Sequence, residues 1–179
     1  GGLLFLPTTV GAMTWGVSLL QEGWHLGYPQ AVDRAAVVAM GWVFGCPILG
    51  YVADRLGRRK PVVLAGAALM LAATLAIFYL PPETSPPYLL GFLLGFGSGA
   101  AMIPYSIIKE VNPDHAKGSA TGAMNFLVFV MTALAAPAIG WWMQKLAGGA
   151  ALTLDVFIVT GSVYVAAIVV AAILTLFLK

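Results

Sequence analysis

Apolar residues come in six long runs along this chain, approximately Leu3–Gln21, Ala35–Ala53, Val62–Leu80, Pro87–Ile108, Ser119–Met143 and Leu154–Leu178. Short links part them, and these links hold nearly all the charge and much of the proline. A hydrocarbon core about 30 Å thick is crossed by roughly 20 helical residues. Inside it, backbone polar groups find no water, so a spanning segment must close its own hydrogen bonds as a helix. The pattern therefore predicts six transmembrane helices. Glycines recur at four-residue spacing, as Gly41 with Gly45, Gly91 with Gly95 and Gly118 with Gly122. In lipid such faces let two helix backbones approach closely. Pro47, Pro104 and Pro137 fall inside runs and are expected to bend them, because each removes a helix hydrogen bond. The fifth run continues from Gly118 to Lys145, about 42 Å at 1.5 Å per residue. It is expected to tilt or kink at Pro137.

Composition supports the membrane reading. Hydrophobic residues make up 60% of the chain, mean hydropathy is +0.93, and only 9% of residues are charged, against about 25% in soluble domains. A net charge of +2 is too small to suggest a nucleic-acid partner. The single cysteine, Cys46, lies in an apolar run, which leaves no disulfide and makes a metal cluster implausible. The chain opens Gly1-Gly2 with no Met, and is read as a fragment whose first run is a mature span, not a signal peptide.

Charge sets the orientation. Asp54, Arg55, Arg58, Arg59 and Lys60 crowd into one link between two apolar runs. A charge at the bilayer centre costs roughly 2.5–3.5 kcal/mol on the most lenient scale, so this link lies at a membrane face. Its basic character assigns that face to the cytoplasm. Alternating from there, Arg55, Arg58, Arg59, Lys60, Lys109, Lys117 and Lys179 fall inside, and only Arg34 and Lys145 outside. Both termini are then cytoplasmic, in a multi-pass protein of the inner (plasma) membrane. Trp24, Tyr79, Tyr88, Trp141 and Trp142 sit at the outer ends as an interfacial belt, and the outer link from Pro81 to Pro87 carries no cation.

The spacing of that basic link is more specific than its charge. Gly50-x-x-x-Asp54-Arg55-x-Gly57-Arg58-Arg59 resembles the signature of the major facilitator superfamily, where it joins the second and third helices of a six-helix half. Gly57 permits a tight turn with positive φ, Asp54 is a fixed negative charge at a helix end, and Arg58 and Arg59 can fork onto carboxylates. A faint internal repeat accompanies it: residues 46–51, CPILGY, and residues 136–141, APAIGW, share small-Pro-x-aliphatic-Gly-aromatic. An inverted three-plus-three repeat leaves such a trace; chance is the alternative. The resemblance implies an all-α membrane protein of six transmembrane helices in an inverted repeat, with residues 1–80 and 87–178 as the two triplets. That is one half of a twelve-helix transporter. The stretch Lys109 to Gly118, with Thr121-Gly122-x-x-Asn125 after it, is similar to the approach to the eleventh helix, and so to the C-terminal half. Ala133-x-x-Ala136-Pro137-x-x-Gly140 is a weakened form of the antiporter glycine–proline motif and implies nothing about antiport.

Little supports enzyme chemistry. His25 and His115 lie in links on opposite faces, no protease-like serine accompanies a histidine, and Gly95-Phe96-Gly97-Ser98-Gly99 lacks the Gly-Lys-Ser/Thr of a phosphate loop. No catalytic residue, metal site or cofactor is expected. What remains are polar stripes at helical spacing: Thr8, Gly11, Trp15 and Ser18 on the first run, then Gly91, Gly95, Ser98, Met102 and Tyr105 on the fourth with Lys109 below. Thr121, Asn125, Phe129 and Thr132 make a third stripe on the fifth. Such stripes serve either as interhelical hydrogen bonds, worth about 0.6 kcal/mol each, or as the wall of a solute cavity. The resemblance implies the cavity for the first and fourth helices, and lipid contact for the third and sixth. Thr8, Trp15, Ser18, Ser98, Met102, Tyr105 and Asn125 are the substrate-path candidates. Gly50, Asp54, Arg55, Gly57, Arg58, Arg59 and Glu110 are the gating candidates, with Arg58 expected to pair with Glu110 and Asp54 to meet a helix of the absent half.

The expected function is secondary active transport of a small solute by alternating access, with proton coupling as a family-level implication. Expected partners are the bilayer, the solute, the missing six-helix half, and a second copy on the face that half would cover. The rival reading is a self-standing six-helix assembly protein in which the stripes only glue helices together.

Overall fold

A computed structural model describes residues 1–81 and 85–178, and every regular element in it is helical. Pro82, Glu83 and Thr84 of the outer link, and Lys179 of the inner charge count, lie outside the described residues. Five helices are long and apolar enough to span a membrane: α2 (Tyr28–Leu56), α3 (Arg59–Tyr79), α4 (Tyr88–Glu110), α5 (Lys117–Leu146) and α6 (Leu154–Leu176). The sixth span, α1, is a pair of segments, Gly2–Ala12 and Gly16–Gly23, bent by 47°.

The sharp bend between segments falls in α1, while Pro137 sits inside a continuous α5. The reason lies in the backbone ladder. From Pro7 to Ala12 and again from Leu19 to Gly23 the helix widens to π geometry, with bonds such as Met13 N–H to Thr8 O at 2.9 Å and Trp24 N–H to Leu19 O at 3.1 Å. Hydroxyls reinforce the loosened turns: Thr8 and Thr9 both donate to Phe5 O, and Thr14 donates to Thr9 O. Local π turns and a proline are recognised sources of helix distortion. Within α4, Pro104 falls just after a 3₁₀ turn at Gly99–Met102, where the α-helix resumes at Ile103.

Helix α4 is the hub. A Cβ on Gly95 would stand 1.9 Å from Val38 O, one on Gly41 2.3 Å from Phe92 O, and one on Gly45 2.3 Å from Phe96 O. These two helices touch backbone to backbone, as the four-residue glycine spacing predicts. On its other side Gly97 lies against Gly66 of α3, whose own Cβ would meet Ala100 at 2.4 Å. The third glycine pair departs from expectation: nothing lies within 4 Å of Gly118 or Gly122. Packing pairs α4 with α2 and α3, α1 with α5 and α6, and α3 with α6. Exchanging the two helix triplets maps this pattern onto itself.

Helices α3 and α6 keep one exposed apolar side, with Leu75, Val159, Val169, Val170 and Ile173 at the surface, and bury the other. They cover one another, with Phe78 stacked on Tyr164 at 6.2 Å and packed into Gly161. The barest spans are α5, with 6% of its most apolar window buried, and α2, with 17%, against 39% for α3 and 44% for α6. Gly95→Ala is expected to destabilise the bundle by more than about 3 kcal/mol, beyond ordinary overpacking, because the obstacle is backbone. Gly122→Ala is expected to stabilise α5 by roughly 0.5–1 kcal/mol through helix propensity. Detergent-denaturation midpoints of the two variants check both.

Candidate functional site

The signature link folds as its residues dictate. Helix α2 ends at Leu56, and Gly57 takes φ +60°, with its N–H bonded to Asp54 O at 3.2 Å. Arg58 is extended, at φ −134° and ψ 109°, and Arg59 opens α3. This turn decides which arginine acts. Arg59, not Arg58, bridges the two acids, one guanidinium nitrogen bonding Asp54 Oδ1 and the other Glu110 Oε1. The left-handed glycine followed by one extended residue leaves Arg58 exposed in the link, while Arg59 enters the first turn of α3 beside the end of α4. The expected Arg58–Glu110 pair is thus replaced by a three-residue cluster that ties α2, α3 and α4 together. Side-chain exposure is 23% for Arg59, 66% for Asp54 and 52% for Glu110.

Other inner-end groups join the same face. Lys60 Nζ donates to Leu178 O at 3.1 Å, and Arg55 donates to the Tyr51 hydroxyl at 3.3 Å. The basic link, the inner end of α4 and the residues just after α6 therefore share one end of the bundle. Among the described residues nothing lies within 4 Å of the position a Cβ on Gly50 would take.

The substrate-path candidates separate into two sets. Thr8 and Ser98 are both 0% exposed and share a hydrogen bond of 3.1 Å, and Ser98 also donates to Leu4 O. In this conformation they join α1 to α4 and line no path. Nor do Thr8, Gly11, Trp15 and Ser18 form one stripe. The π turns change the residues per turn, so Thr8 faces α4, Gly11 faces Tyr164 of α6, and Trp15 faces α5. The Trp15 indole donates to Ala136 O at 3.4 Å and its ring covers Gly140. Ser18 is half-buried. In contrast, Met102 is 43% exposed, and one turn below it the Tyr105 hydroxyl donates to Asn125 Oδ1 at 3.0 Å, bridging α4 and α5 on an open face.

A cleft of about 790 Å³ opens between α1, α4, α5 and α6, roofed by Gly1–Leu4. Its lining includes none of the seven candidates. Its polar side chains, Asn112 and Thr175, already donate to Ile108 O and Ala171 O of their own helices. No group of three or more metal-ligating side chains occurs among the described residues.

Five apolar spans and a bent sixth, with a charge cluster at one end, define a multi-pass helical membrane protein. The family model described as Major Facilitator Superfamily matches residues 2–178, and the chain belongs to that family. It is 32% identical over 170 residues to the multidrug resistance protein MdtL of Escherichia coli O81 (strain ED1a), a match covering 87% of this chain and 42% of that protein. The same identity and coverage hold for MdtL of Escherichia coli O6:H1 and of Shigella boydii serotype 18. The chain thus spans less than half the length of these relatives. No solved structure matches it.

Exposed ion pairs contribute about 0.2–1 kcal/mol each. A double-mutant cycle on Arg59→Gln and Glu110→Gln should give a coupling in that range at low salt, fading at about 1 M salt as screening shortens to roughly 3 Å. The corresponding cycle on Arg58 and Glu110 should give none.

Proposed function

We propose that this chain is one six-helix half of a secondary transporter that moves a small solute across the inner membrane by alternating access. The observation that carries the reading is the Asp54–Arg59–Glu110 cluster, in a chain of this family. One guanidinium holds the α2–α3 turn against the inner end of α4. It keeps the half rigid while leaving Asp54 largely exposed to meet a helix N-terminus of the other half. Rocking of two rigid halves about a midplane site then exposes the solute to each face in turn, powered by the proton gradient on the pattern of the family. Each latch contact is weak enough to bias the two states without locking them.

On this reading the basic end and both chain ends face the cytoplasm. The bundle is an inverted repeat of residues 1–80 and 87–178, C-terminal in its parent. The bare faces of α2 and α5 are the surfaces left for the other half, and the isolated half would pair with itself there. Met102, Tyr105 and Asn125 form the wall of the solute path, which Trp15 continues farther along α5, at Ala136 and Gly140. Thr8 and Ser98 hold that wall in place. The names of the relatives favour a drug-like amphiphilic solute, which suits a wall that combines methionine and aromatic rings with one polar bridge.

In the full-length transporter, Asp54→Asn is expected to slow uptake or efflux several-fold while substrate binding stays measurable. Transport in proteoliposomes beside equilibrium binding of the same substrate checks this. Unchanged transport would remove the latch.

A further inference from the structure

Away from the charge cluster and the Tyr105–Asn125 face, α1, α2, α3, α4 and α6 line a partly open cavity of about 70 Å³. Four polar side-chain atoms on its lining are buried without a hydrogen-bond partner: Arg34 Nε, Thr74 Oγ1, Ser85 Oγ and Tyr164 OH. Only one other buried side-chain atom among the described residues lacks a partner. Thr74, Ser85 and Tyr164 are 1%, 4% and 3% exposed. Buried polar atoms are nearly always paired, so four orphans around one space call for an occupant. Thr74 strengthens the point. The hydroxyls of Thr121, Thr132, Thr160 and Thr175 donate to the carbonyl four residues back, whereas that of Thr74 does not.

The chemistry of the lining restricts the occupant. Among the described residues no carboxylate lines the cavity and none pairs with Arg34. Arg34 Nε of a half-buried guanidinium and three buried hydroxyls, all able to donate, line a space otherwise walled by side chains such as Ile77, Phe78, Leu90 and Trp24. A cavity admits one water at roughly 10–15 Å³, so this one takes several heavy atoms. Water would serve the hydroxyls, but a carboxylate also answers the guanidinium charge.

We propose that this cavity is a binding site for a small carboxylate with an apolar body, held by Arg34, Thr74, Ser85 and Tyr164. The site shares no residue with the proposed solute path. Pro7 and Gly11 line it on one side of the bend in α1, and Gly16 and Leu19 on the other. Its occupant therefore sits in the elbow of α1 and fixes the angle between the two segments.

The test titrates the purified chain in detergent, at constant ionic strength, with butyrate and with the neutral isostere butyramide, read by saturation-transfer NMR. Butyrate is expected to saturate and butyramide to bind at least about tenfold more weakly, since a site built on specific polar contacts rejects an analogue lacking them. Arg34→Gln should abolish that preference, and Tyr164→Phe should weaken butyrate several-fold, with helicity and monodispersity matching the parent. If Arg34→Gln does not fold, the comparison of the two ligands on the unaltered chain decides alone. Equal binding of both ligands, or saturation by neither, means that water fills the cavity and overturns the proposal. The readout is independent of transport, so it stands apart from the proposed function.

Discussion

Direct contact between the backbones of α2 and α4 is the constraint on which the rest of the bundle depends. In lipid, helices gain nothing from burying one apolar surface against another, and association rests on close packing and a few polar bonds. Gly41 and Gly45 on one helix, and Gly95 and Gly99 on the other, remove every Cβ that would hold the two apart. With α4 seated between α2 and, through Gly97 and Gly66, α3, its remaining faces are set. Ser98 then lies within 3.1 Å of Thr8, Tyr105 reaches Asn125, and Glu110 arrives where Arg59 can bond it. The charge cluster and the polar bridge are consequences of one glycine seam.

Helix α1 is held differently. It has no such seam; three neighbours grip it at three points, through Thr8, Gly11 and Trp15. A regular α-helix would present these residues along one side. Two π stretches and the 47° bend turn them toward α4, α6 and α5 instead. π turns recur at functional sites, and here they lie beside the cavity that holds Arg34 and Tyr164. The closely packed α2–α3–α4 block thus stands against a distorted α1.

The spans, the glycine contacts of α2 with α4 and the left-handed turn at Gly57 were legible in the sequence, because each follows from a local rule: apolar length, four-residue spacing, the lack of a Cβ. The partner of Glu110 was not. Choosing between Arg58 and Arg59 requires knowing that one residue stays extended after the turn, and two adjacent arginines look alike in a string. The α1 stripe was misread for a related reason: periodicity of 3.6 was assumed where the ladder shifts to i→i−5. The orphan atoms of Arg34, Thr74, Ser85 and Tyr164 left no signal, since they are scattered over 131 positions and meet only in the folded chain. Gly118 and Gly122 show the converse, a pattern that matches the α2–α4 seam but packs against nothing here.

The most direct test of the account asks whether the two ends of the charge cluster emerge on one side of the membrane. With Cys46→Ala as background, single cysteines at Asp54, Glu110 and Lys145 would be labelled by an impermeant maleimide in right-side-out and inside-out vesicles. The account predicts that positions 54 and 110 react only from the cytoplasmic side and position 145 only from the opposite side. Labelling of 54 and 110 from opposite sides would contradict it.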